Sequence, residues 1–387
     1  ILLTASILTV AATFAQEQNL HTCFLNDPNG RSREHNVDFE HIRLNLSFKP
    51  VEGKVIGQAT YSFKPIRLEV DSIFFDGPGI EFKQVGMDGA AFELQNTDEG
   101  LAVKFAEPLK WEKEYSINIE YEATPRKGLY FIGWHDAKNL SRKQIWTQGQ
   151  GIDNRHWFPS YDYQNDKVTT ETIITFDKEY EVLSNGNLIK TEENANGTKT
   201  WHYEMTKPHT TYLVMLAVGK YAYKDLVSKS GIVTRQYYYP DRPETFDPTY
   251  RYSVEMFDWM EEELGVPYPW ETYANVPVQD FMYGAMENTT ATIFTDYYVQ
   301  DERAALERNY IGTNAHELNH QWFGDYVTAW SSTHHWLQES FATHYAKHFR
   351  RSVQGEDEFQ WTRRQEMQSA WNCLLYTSDA ADDRSWV

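Results

Sequence analysis

The chain has 387 residues, a formal net charge of −20, 41% hydrophobic residues and 24% charged residues. That length leaves room for two or three domains with a sizeable core, and the acidic balance argues against a nucleic-acid partner, whose phosphates it would repel. The two cysteines, Cys23 and Cys373, supply neither a disulfide framework nor a cysteine zinc site.

Residues 1–12 form an uncharged apolar run. Thr13-Phe14-Ala15 follows, with small residues where a signal peptidase would read, and Gln16-Glu17-Gln18 then turns polar. This pattern predicts a secretory signal over residues 1–15, clipped at its start, and a linker over 16–36. Export to the periplasm or the extracellular space follows from it. The run is too short to cross a bilayer as a helix, and no later segment is apolar enough, so no transmembrane segment is expected.

From residue 37 the pattern has period two. Ile42 to Lys49 and Tyr115 to Glu122 alternate apolar and polar residues, which predicts half-buried strands. Pro78-Gly79, Asn185-Gly186 and Asn196-Gly197 are turn signals, the last lying in a hairpin between Leu188-Ile189 and Trp201-His202-Tyr203. Residues 37–222 are therefore read as an N-terminal β domain.

Helical spacing takes over afterwards. Asp247-Pro248 reads as a helix start, Tyr252, Met256, Met260 and Leu264 as its buried stripe, and Gly265 as its stop. An extended segment is expected over residues 276–295, a second helix from Asp301 to Gly324, and a third from the Ser331-Ser332-Thr333 cluster. Residues 223–372 are read as a mainly α region. Residues 373–387 resemble translated sequencing adaptor, break the preceding pattern, and are set aside as an artefact.

The chemistry concentrates in His316-Glu317-Leu318-Asn319-His320. Four-residue spacing puts both imidazoles on one helix face, as a tetrahedral metal requires. Ile311, Ala315, Leu318 and Trp322 fall on the opposite stripe, so the helix can bury one side and present its histidines to a cleft. Glu317, one step round, suits a general base that takes a proton from the attacking water. Glu339 supplies a third ligand. On its helix Leu337, Phe341 and Tyr345 form the expected apolar stripe, and Glu339 points away from it.

Together these residues resemble the aminopeptidase N family of zinc metallopeptidases, the gluzincin exopeptidases. His316 to Asp325 is similar to that family's zinc helix. Trp336-Leu337-Gln338-Glu339-Ser340-Phe341-Ala342 resembles its third-ligand helix, with Gln-Glu-Ser where the family usually has Asn-Glu-Gly. Gly284-Ala285-Met286-Glu287-Asn288 matches its exopeptidase motif. The resemblance implies one Zn2+ per chain on His316, His320 and Glu339, and peptide substrates with a free N-terminus. A carboxylate at Glu287 suits the substrate ammonium. Backbone groups of residues 284–288, on an edge strand, would hold the substrate main chain.

Residues 147–159 look like the family segment that reaches from the β domain into the cleft, and Gln150 aligns with its substrate-contacting glutamine. Tyr283 could line the site or pack in the core. The implied fold is multi-domain α and β: an all-β saddle-like domain, then a partial thermolysin-like, mainly α catalytic domain. The family's transition-state tyrosine would fall past residue 387, so this chain alone is expected to be weakly active or inactive. Two other readings are a zinc endopeptidase, which Glu287 disfavours, and a non-enzymatic peptide-binding protein on the same fold.

Overall fold

The computed structural model describes residue 33 and residues 35–111 and 113–382, with backbone alone for residues 373–382. The expected signal, residues 1–15, and most of the expected linker lie outside the described residues.

Four sheets form among the described residues. The largest has seven strands, in the order Asn187–Glu193, Thr198–His209, Val168–Asp177, Val37–Lys49, Lys54–Pro65, Tyr115–Ala123, Ile80–Met87. Its alternation is the one legible in the sequence. Ile42, Leu44 and Leu46 are buried on one strand, and Ile117, Ile119 and Tyr121 on another. Asn196-Gly197 makes the expected hairpin turn, with Gly197 at φ 84°, a conformation that favours glycine. A three-stranded sheet (Glu69–Asp76, Gly100–Lys110, Phe92–Thr97) and a four-stranded sheet (Glu181–Ser184, Leu216–Gly219, Gln144–Thr147, Leu129–Ile132) complete the first region.

The second region holds a five-stranded sheet that period reading found only in part. Its order is Ala222–Val227, Val233–Tyr238, Thr272–Val278, Ala291–Thr295, Ala285–Met286. The last three cover the expected extended segment. The first two lie where the sequence reading assigns no element of its own, and the first straddles the expected boundary at residue 222. Ala285–Met286 is an edge strand, paired only to Ala291–Thr295 among the described strands.

Among the described residues this region also holds five α-helices: α1 (Phe246–Thr249), α2 (Ser253–Leu264), α3 (Ile311–His320), α4 (Trp336–Gln354) and α5 (Glu356–Asp382). The first expected helix is split, because Tyr252 adopts φ 66° and interrupts it after Asp247-Pro248. Met256 and Met260 are buried as expected, and Gly265 ends α2 at φ 62°. The second expected helix is shorter than the sequence suggests. Asp301 caps a short 3-10 turn, Ala304–Leu306, through its carboxylate, and α3 proper begins at Ile311. The stripe of α3 is as read, with Ile311, Ala315, Leu318 and Trp322 all buried.

On α4 the stripe needs correction. Leu337 and Phe341 remain 40% and 44% exposed, and the buried side is Gln338, Ala342, Ala346 and Phe349. Phe341 and Tyr345 instead stack on Phe323. Small residues at positions 342 and 346 let α4 lie close against α3, where bulky ones would hold it off. The backbone of α5 stays helical through Asp382, across the expected break at Cys373. No helix among the described residues is long and apolar enough to cross a membrane.

Candidate metal centre and substrate cleft

Helix α3 carries His316 and His320 on one side. Helix α4, packed beside it, brings Glu339 to both. The Nε2 atoms of His316 and His320 are 3.0 Å apart, and Glu339 Oε2 lies 3.3 Å from the first and 3.6 Å from the second. A tetrahedral ion with ligands at about 2.0–2.1 Å needs donor atoms roughly 3.3 Å apart, so these edges fit a first-row divalent metal. The imidazole orientations fit as well. His320 Nδ1 donates to the Phe323 carbonyl at 2.9 Å, which leaves the Nε2 lone pair facing the cluster. His316 Nδ1 lies 3.3 Å from the Thr343 hydroxyl.

The electrostatics also call for a cation. Burial alone would lower the His320 pKa, but Glu287, Glu339 and Glu317 outweigh it and push it up to about 10. Burial acts to raise the Glu339 pKa, yet its hydrogen bonds to His316, His320 and His335 hold it far below the usual carboxylate range. Glu317 is 5% exposed, and burial, with Glu287 and Glu339 adding to it, raises its pKa well above the ordinary value against the pull of His320. The three carboxylates around His320 thus favour positive charge at this point. A divalent ion would supply it and relieve the crowding of carboxylates.

The segment from Gly284 to Thr290 forms the facing wall. Gly284 adopts φ 82°, Ala285 and Met286 pair with Phe294 and Ile293, and the chain then turns, with Ala291 N–H donating to the Asn288 carbonyl. Thr290 sits at φ 64°, unusual for a β-branched residue and costing about 1–2 kcal/mol. Its surroundings hold it there. Thr290 N–H donates to Gln321 Oε1, its carbonyl accepts from Ala274 N–H, and its hydroxyl accepts from Gly186 N–H. Asn185 of the same Asn-Gly turn donates to the Thr289 carbonyl. The β region and helix α3 thus grip this segment from two sides.

Glu287 is 3% exposed, and its Oε1 has no hydrogen-bond partner. Both polar atoms of the Asn288 side chain are likewise buried and unpartnered. Carboxylate oxygens of Glu287 and Glu339 lie within 4.8 Å of each other. A buried carboxylate oxygen without a donor is costly, so this arrangement suits a donor delivered by a ligand.

Gln150 reaches the same cleft from the β region, its side-chain amide 2.6 Å from His335 Nε2. Its loop is pinned by Asn154, which donates to the carbonyls of Thr211 and Val214. Gly149 is required there, since a Cβ would sit 2.2 Å from the Tyr212 carbonyl. All ten residues singled out from the sequence therefore belong to one region of the molecule. Tyr283 is 56% exposed and is therefore not packed in the core.

Two residues escaped the sequence reading. Gln321, fully buried, donates to the Glu287 carbonyl and accepts from Thr290 N–H and the Tyr268 hydroxyl. Its place directly after His320 was the available signal. His335 lies 3.2 Å from Glu339 Oε1, and its four-residue spacing from Glu339 was the corresponding signal.

Residues 35–213 match the family model described as Peptidase M1 N-terminal domain, and residues 249–385 match that of the Peptidase family M1 domain. The chain belongs to the peptidase M1 family. Among M1 relatives, it is 27% identical over 357 residues to Leucine aminopeptidase 2 of Vanderwaltozyma polyspora, covering 90% of this chain and 52% of that protein. It is 31% identical over 282 residues to Aminopeptidase M1-C of Oryza sativa subsp. japonica, covering 71% of this chain and 32% of that protein. Endoplasmic reticulum aminopeptidase 1 of Rattus norvegicus shows 28% identity over 253 residues, 63% of this chain and 27% of that protein. The M1 chain thus spans about half the length of its yeast relative, and about a third or less of the other two.

Proposed function

We propose that this chain carries the metal centre and substrate edge of a zinc-dependent aminopeptidase, which releases N-terminal residues from peptides. In this reading residues 37–222 are the N-terminal β domain and residues 223–372 part of the catalytic domain. One Zn2+ is held by His316, His320 and Glu339. Zinc there would polarise the scissile carbonyl and lower the pKa of water to roughly 7. Glu317 accepts the proton of the attacking water and passes it to the leaving amine. Glu287 pairs with the substrate ammonium, and Gln150 contacts the substrate beside it. The edge strand through Gly284, Ala285 and Met286, with Asn288 beyond it, offers main-chain partners to an extended peptide. The apolar run over residues 1–15 supports export to the periplasm or extracellular space.

The observation that carries the proposal is the buried Glu287 carboxylate, its Oε1 without a hydrogen-bond partner, beside the cluster of His316, His320 and Glu339. It restricts the cleft to substrates that bring a positive charge at their first residue. The test is binding of a tripeptide with a free amine, and of its N-acetylated form, to the zinc-loaded chain by calorimetry. The free amine should bind at least about tenfold tighter, as one charge-assisted hydrogen bond implies. Equal binding, or preference for the acetylated peptide, would turn the assignment toward an endopeptidase or a general peptide binder.

A further inference from the structure

Glu339 divides its two oxygens. Oε2 faces the His316 and His320 Nε2 atoms, and Oε1 faces His335 Nε2 at 3.2 Å. Which hydrogen His335 carries follows from a chain of bonds that starts at the backbone. Ala329 N–H, a donor in any state, points at Gln338 Oε1 at 3.3 Å. The other end of that amide is therefore its NH2 group. It donates to the Tyr212 hydroxyl at 3.0 Å and to His335 Nδ1 at 3.0 Å. With Nδ1 accepting, the neutral ring carries its proton on Nε2, which faces Glu339 Oε1 at 3.2 Å and shares that proton with the Gln150 amide. The Gln150 amide, 2.6 Å from the same Nε2, must then turn its oxygen toward it.

We propose that His335 is a positioning residue for the metal centre. Its Nε2–H occupies Glu339 Oε1, so that the carboxylate meets the ion through Oε2 alone, and it ties Gln150 to the same carboxylate. The inference rests on the zinc reading given above. It also decides between two uses of the cluster, because Glu287, His335 and Glu339 bring ligand atoms within 4.8 Å of one another and could be taken for a second metal site. A protonated Nε2 offers no lone pair, so His335 supports the first ion instead of binding another.

The test compares the chain with His335→Leu and His335→Gln, using Zn2+ alone and a chromophoric chelator in competition. Circular dichroism and thermal unfolding of the metal-free proteins check the fold. His335→Leu should bind one zinc about 10–100-fold more weakly, the usual loss when a ligand's hydrogen-bond partner is removed. His335→Gln, which can accept from Gln338 and donate to Glu339, should recover most of that loss. Leu binding as tightly as the parent would overturn the proposal. So would Gln performing no better than Leu, or a second zinc in the parent that Leu abolishes. Nitrogen-15 NMR of the zinc-loaded parent gives a check that needs no variant: the proton must be found on His335 Nε2, and a proton on Nδ1 refutes the arrangement. If the parent binds no zinc at all, the metal assignment itself fails, which none of the other outcomes implies.

Discussion

Replacing Glu287 by Gln keeps the side chain's volume and removes its charge. The carboxylate is 3% exposed, and its Oε1 has no partner within the protein, so solvent screens it little. An ammonium placed against it gains a charge-assisted hydrogen bond worth about 1.5–3 kcal/mol, which is about 10–150-fold in affinity. The upper part of that range applies here because the group is buried and Glu339 is close by, within 4.8 Å between carboxylate oxygens. Four affinities form a cycle: zinc-loaded parent and Glu287→Gln, each with a free-amine tripeptide and its N-acetylated form. Titration calorimetry should show the free-amine peptide weakened by that factor and the acetylated one hardly changed. The preference for a free N-terminus would then collapse in the variant. If Glu287→Gln keeps the full preference, the amine is bound elsewhere. If both peptides weaken equally, Glu287 shapes the cleft and does not pair with the ammonium.

Three further outcomes are expected. Glu317→Gln in the full-length protein should retain one zinc while lowering hydrolysis of an aminoacyl amide by about 10²–10⁴-fold, the usual contribution of a general base; unchanged turnover would remove Glu317 from the mechanism. Gln321→Ala leaves Thr290 N–H and the Glu287 carbonyl without their partner, while the Tyr268 hydroxyl keeps the Thr272 carbonyl at 3.0 Å. At about 1–3 kcal/mol for each buried group, a loss of about 3 kcal/mol in urea unfolding is expected, and a change below about 1 kcal/mol would show that water replaces the side chain. His209 is fully buried between the hydroxyls of Thr170 and Thr289, and burial, aided by Lys167, pushes its pKa down to about 3. The folded protein therefore keeps it neutral while the unfolded chain protonates it near pH 6.5. Stability should fall as pH drops from about 6.5 toward 3, by up to about 1.4 kcal/mol per unit. Between pH 6.5 and 5, His209→Gln should lose about 2 kcal/mol less than the parent in urea unfolding, and identical slopes would refute the buried neutral histidine.

The division into a strand-rich first part and a helix-bearing second part was legible from residue order. A strand with one buried face writes its period into the chain, as Ile42 to Leu46 does, and a helix such as α3 does the same with Ile311, Ala315, Leu318 and Trp322. The proximity of His316 and His320 was legible for a related reason. Two ligands lie one turn apart on a single helix, so their spacing alone places them together. Other elements were not legible. The strands Ala222–Val227 and Val233–Tyr238 pair with each other as a local hairpin, and they become part of a larger sheet only when Thr272–Val278 returns beside the second of them. The buried face of α4 could not be chosen from its own residues. Phe341 makes an apolar stripe look natural, but close approach to α3 favours the small Ala342 and Ala346 on the inner side. Tyr252 breaks a helix whose spacing looked continuous, through a backbone angle that no side-chain pattern reports.

What the sequence by itself determined is therefore the type of each periodic element and the presence of a His-Glu-x-x-His ligand pair, because both depend on neighbours within a turn. The tertiary structure alone decided which oxygen of Glu339 faces the histidines and which faces His335. It alone decided that Glu287 is left buried without a donor, and that Gln321 and the Asn185-Gly186 turn hold Thr290 in a strained conformation. Apart from His335 and Glu339, which lie one helical turn apart, these are relations between residues about twenty to more than a hundred positions apart. Their energies arise only when burial removes the water that would otherwise satisfy each group separately.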